Sequence, residues 1–101
     1  SKAPVAQRLE GIRRAIRAWA LALLGRRQEA EESIEQALRA PGGTLRATLA
    51  MRHWAVGMAL VALERTGKAI EHFRAARDAD PKGKYGGLAM QQLKQHSVWG
   101  Q

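Results

Sequence analysis

Three histidines, His53, His72 and His96, are the residues best suited to hold a metal or move a proton near neutral pH. Metalloproteases set two histidines four residues apart on one helix, so that both ring nitrogens face the ion. No pair here has that spacing. Glu71 and His72 are neighbours and point to different sides of any helix that carries them. The stretch "ERTGKAI" holds the Gly67-Lys68 pair of a phosphate loop. Ala62 stands where that loop needs its first glycine, and Ala69 where it needs Ser or Thr. Ser33 and Ser97 have no acid–base partner at a useful spacing. There is no cysteine, which removes disulfides and thiolate metal sites. The expectation is a protein that is not an enzyme, with no metal and no cofactor.

Composition points to the elements instead. The chain has 101 residues, 46% hydrophobic and 26% charged, with few aromatics and abundant Ala, Leu, Arg, Glu and Gln. These are good helix formers, and no segment alternates in the manner of a strand. The longest apolar run, "AWALALL", falls far short of the roughly 20 residues that cross a bilayer. The lack of cysteine fits a reducing compartment, so a cytoplasmic location is expected. A formal net charge of +8 favours an acidic partner, although Glu29, Glu31, Glu32 and Glu35 interrupt the basic residues.

Periodicity predicts five helices. The first runs from Pro4 to Leu24, with Gly25 as its C-terminal stop, and the second from about Gln28 to Ala40. "PGG" at 41–43 breaks the chain. Thr44 caps a third helix that reaches about Glu64. The fourth spans about Gly67 to Ala79 and ends at Asp80-Pro81. "KGKYGG" reads as a connection, followed by a fifth helix from about Leu88 to Gln95 and a tail, "HSVWGQ". Short loops between helices predict stacked antiparallel hairpins.

Residue 11 set against residue 50 brings two helix–turn–helix units into register, 39 apart. Ala18 then meets Gly57, Leu21 meets Leu60, Ala30 meets Ala69, Ile34 meets Phe73, and Ala37 meets Ala76. Small residues fall where helices cross closely and larger ones fill the space between. The second unit reads Gly57-x2-Leu60, Ala69-x3-Phe73, Ala76 and Asp80-Pro81. The first reads Ala18-x2-Leu21, Gly25, Ala30-x3-Ile34 and Ala37. This pattern resembles the tetratricopeptide repeat family over about residues 11–83. Arg14 and His53 stand where the family has a tryptophan, and the turn glycine of the second unit is displaced to Gly67.

The resemblance implies an all-α fold: antiparallel helical hairpins stacked as a short superhelix. One domain covers 1–101, with repeat one and its linker at 11–43 and repeat two at 44–83. A capping helix follows at 84–96, and a tail at 97–101. The first helix of each unit then lines a concave groove. Carried over, the partner-binding residues are Ile12, Trp19, Leu23, Met51, Trp54, Met58 and Val61, with Ala15, Ala22 and Ala62 between them. Every one is apolar, so the groove lacks the Lys, Arg and Asn with which some relatives clamp a terminal carboxylate. Burial of this stripe inside the monomer stays open as an alternative. The implied function is a protein-binding scaffold for an amphipathic helix or extended peptide. A second copy of the chain filling the groove as a dimer is the first alternative. Nucleic-acid binding is the second, through Arg13, Arg14 and Arg17, joined by Arg8, Arg26 and Arg27, and through Lys82, Lys84 and Lys94 around Tyr85.

Overall fold

The computed structural model describes residues 9–41 and 45–96. Among these residues it contains five α-helices and no strand: α1 (Glu10–Leu23), α2 (Arg27–Arg39), α3 (Arg46–Ala62), α4 (Thr66–Ala79) and α5 (Lys84–His96). The expected first turn at Pro4, the cap at Thr44, Arg8, Ser97 and the tail lie outside the described residues. None of the helices is long and apolar enough to cross a membrane.

Local chemistry explains where the helices stop. After α1, Gly25 takes a φ of +80°. The Arg26 amide donates to the Leu21 carbonyl at 2.9 Å and the Gly25 amide to Ala22 at 3.1 Å. These two bonds satisfy the carbonyls that a helix end leaves open. The same stop closes α3: Arg65 donates to Leu60 at 2.8 Å and Glu64 to Val61 at 2.9 Å. There the left-handed residue is Glu64, with φ 63°. Gly67, expected as the displaced turn glycine, lies instead in the first turn of α4.

The fifth helix differs from expectation at its start. It begins at Lys84 rather than near Leu88, so "KYGG" is helical. The glycines fit because the preceding turn presses on this end of the helix. A Cβ on Gly86 would run into the Asp80 carbonyl, and one on Gly83 into the Asp80 carboxylate. Close approach of backbones is thus what selects glycine here, against its poor helix propensity.

α1 packs on α2 and α3, α3 packs on α4 and α5, and α4 packs on α5. α2 touches α3 only lightly and does not reach α4. Helices α1, α3 and α5 therefore lie side by side in one layer, with α2 and α4 behind them. The body measures 46 × 33 × 16 Å, thin enough for two helix layers. Most buried apolar residues are alanines, among them Ala15, Ala18, Ala30, Ala37, Ala55, Ala59, Ala69 and Ala76. Small side chains let the axes approach, and Phe73 and Val56 fill what remains as the largest fully buried groups. Full burial of a side chain like Phe73 contributes roughly 2–3 kcal/mol. On α2, Ala30, Ile34 and Ala37 are buried as their spacing predicts, whereas Leu38 stays 42% exposed.

Candidate functional site

The front layer carries a row of three rings. Trp19 of α1 meets Trp54 of α3 edge to face, with centroids 5.3 Å apart and planes at 84°. Trp54 in turn meets Tyr85 of α5 at 5.3 Å and 47°. Both geometries suit the aromatic quadrupole, and such pairs contribute about 0.5–1.5 kcal/mol beyond their burial. The rings therefore hold one another in place. All three are partly exposed, and with Met58, Val61 and Ala62 they pack on the core from outside. Met51 is partly exposed as well. The Lys84 ammonium sits 5.5 Å from the Tyr85 ring centre.

The residues expected to line a groove divide into three groups. Trp19, Met51, Trp54, Met58, Val61 and Ala62 present part of their surface to solvent. Ile12, Ala15 and Ala22 are buried; α1 turns that arc inward, so these side chains serve the fold. Leu23, at the end of α1, is 68% exposed and stands clear of the core. In the sequence Tyr85 stands among Lys82, Lys84 and Lys94. Its place in the ring row depends on the early start of α5, which the glycines conceal.

The basic residues fall at opposite edges of the layer. Arg13, Arg14 and Arg17 lie on α1, Lys84 and Lys94 on α5 and Lys82 just before it; α1 and α5 do not touch. Lys84 and Lys94 are themselves about 15 Å apart along their helix. Several arginines support the fold. Arg14 donates to Glu10 and to Gln36 of α2, both at 2.6 Å. Arg27 donates to the Leu63 carbonyl at 3.1 Å, at the end of α3. Arg52 extends across Gly11 to the Ala40 carbonyl at 3.2 Å, at the end of α2. Arg26 pairs with Glu29, and Arg65 crosses from α4's start to Glu31 of α2, each at 2.6 Å.

Tertiary packing unites two histidines that sequence spacing kept apart. His53 of α3 and His72 of α4 bring their Nδ1 atoms to 3.1 Å, so one Nδ1–H donates to the other ring. Burial, then His72 and Arg52, push the His53 pKa down to about 4. Burial lowers His72 too, against the opposing pull of Glu71. Among the described residues, no group of three His, Cys, Asp or Glu side chains converges as a metal site. Arg14 and His53, 39 residues apart, each make a polar bridge to the following helix.

Behind the layer, the gap between α2 and α4 forms a cleft of about 390 Å³. Ile34, Leu38 and Leu60 contribute its apolar wall, with Glu35, Lys68 and His72 among its polar residues. Gly67-Lys68 thus belongs to a helix start at a cleft edge, and Ser33 is buried in α2.

No protein-family model, curated protein or solved structure matches this chain.

Proposed function

We propose that the chain is a tetratricopeptide-like module that holds another protein's amphipathic helix or extended apolar segment against α1, α3 and α5. The observation that carries this reading is the partly exposed ring row Trp19–Trp54–Tyr85 with Met51 and Met58 beside it. Trp and Tyr are enriched where partners bind, and Met adapts its shape to irregular apolar surfaces. Their mutual contacts leave little to be ordered on binding, which favours association. The face is built of apolar and aromatic groups, so it acts by burial rather than by reaction.

The repeat reading draws support from the two identical helix stops, at Gly25 and Glu64, 39 residues apart (64 − 25). It draws more from Gly57, a small residue at a close helix crossing as the repeat register expects, where Phe73 of α4 lies over it. A second copy on the same face remains the rival occupant; it makes the unfolding midpoint rise with protein concentration. The spread of the basic residues over two helices that do not touch weighs against a nucleic-acid track.

A photoreactive residue at Met58 tests the reading by capturing what lies against the face. The captured protein's affinity is then measured for the parent chain and Trp54→Ala, at low and moderate salt. The expected result is a loss of about 30-fold or more in the variant, the scale of a central interface tryptophan. Salt should change that affinity little. An unchanged affinity in Trp54→Ala overturns the reading. A nucleic acid whose binding collapses with salt establishes the other one.

A further inference from the structure

We infer that the outward side of α1 is a second docking surface, built for an acidic amphipathic helix. Leu9, Ile16, Ala20 and Leu23 are all exposed, the three large ones at 40%, 43% and 68%. Their spacings of seven, four and three residues place them in one stripe along the helix. That stripe lies opposite Ala15, Ala18 and Ala22, with which α1 faces the core. Single exposed leucines need no explanation, but an aligned set on one helix face does.

Charge identifies the partner. Arg13 and Arg17 follow the stripe along the side away from Trp19, and both are exposed. Arg13 has only a long contact of 3.8 Å with Glu10, whose carboxylate is already held by Arg14 at 2.6 Å. Arg17 makes no ion pair with a described residue. An apolar stripe bordered by available cations matches a helix with an apolar stripe bordered by Asp and Glu. A second copy fits poorly. It would bring its own Arg13 and Arg17 to the seam, and a helix of 14 residues offers far less than the roughly 800 Å² per partner of a stable dimer. The small area suits a transient contact steered by charge. This surface adjoins the ring row at Trp19, one turn from Ile16 and Leu23, but differs from it in the chemistry of its partner and does not depend on that assignment.

The test uses two synthetic 18-residue peptides, each helical with one leucine stripe, flanked by glutamates in one and by lysines in the other. Binding is read by fluorescence anisotropy, with the protein's mass in solution measured alongside. The acidic peptide should bind at least tenfold more tightly than the basic one, and several-fold less tightly as salt is raised. Ile16→Glu should weaken it at least tenfold without lowering the melting temperature, because the site is exposed. Arg13→Glu with Arg17→Glu should reverse the preference between the peptides. Trp54→Ala should leave the affinity within twofold. Equal affinities, no binding to either peptide at millimolar concentration, or indifference to Ile16→Glu each overturn the inference. So does a parent dimer that Ile16→Glu converts to a monomer, since the occupant would then be a second copy.

Discussion

The ring of Phe73 lies so closely over Gly57 that a Cβ at Gly57 would stand 2.5 Å from its Cε1 and 2.8 Å from its Cδ1. The glycine is therefore there for the neighbouring helix, since glycine within a helix costs roughly 1 kcal/mol against alanine. Gly57→Ala should lower stability by about 1–3 kcal/mol despite its better propensity, through overpacking. Urea unfolding measures this. Phe73→Leu in the same chain should recover part of the loss, because the ring is what the new methyl meets. Independent, additive losses would show that the two residues do not meet.

Glu64 holds a left-handed backbone where the equivalent stop of α1 has Gly25. A side chain in that conformation costs about 1–2 kcal/mol. Glu64 is exposed and appears in no ion pair among the described residues, so little opposes its replacement. Glu64→Gly should stabilise the fold by about 0.5–1 kcal/mol, offset in part by the greater freedom of an unfolded glycine. Gly25→Ala should destabilise it by about 1 kcal/mol. Thermal melts of the two variants should move in opposite directions.

The His53–His72 pair makes stability depend on pH. Both pKa values lie below the ordinary histidine value in the folded chain, His53 at about 4. The unfolded chain thus binds protons first as pH falls. The contribution of the pair is complete above about pH 6.5 and is lost between there and pH 4. Arg52 beside His53 adds to this loss, and Glu71 beside His72 moderates it. The expected change is about 1–3 kcal/mol, after allowing for the access of water to both rings. His53→Gln should flatten the profile of urea stability across that interval; an unaltered slope would remove the pair as its source.

How far the sequence reveals this molecule depends on how local each signal is. Helix existence is local: apolar spacing, Gly25 and Asp80-Pro81 mark the end of α1 and both ends of α2, α3 and α4 to within a few residues. The internal repeat marks Gly57 as a small residue at a close crossing, but only the packing of α4 on α3 shows that Phe73 is what lies over it. The start of α5 is concealed because "KGKYGG" reads as a loop until the turn at Asp80 is seen to press on Gly83 and Gly86. The stop at Glu64 gives no compositional sign at all. His53 and His72 are 19 residues apart on different helices, so only the pairing of α3 with α4 unites them. The face of α1 was legible only in part. Its periodicity shows an apolar side, but the positions of α2 and α3 decide that Ile12 turns in while Ile16 and Leu23 turn out.

The central claim is that the ring row serves a partner more than it serves the fold. Trp54→Ala tests it most directly, with urea stability, mass in solution and affinity for the captured partner measured on the same preparations. The account predicts a monomer that loses no more than about 2 kcal/mol of stability, because Trp54 is only partly buried, while affinity falls by about 30-fold or more. A monomer that loses about 3–5 kcal/mol, the cost of emptying a core site, while binding its partner as before would contradict it.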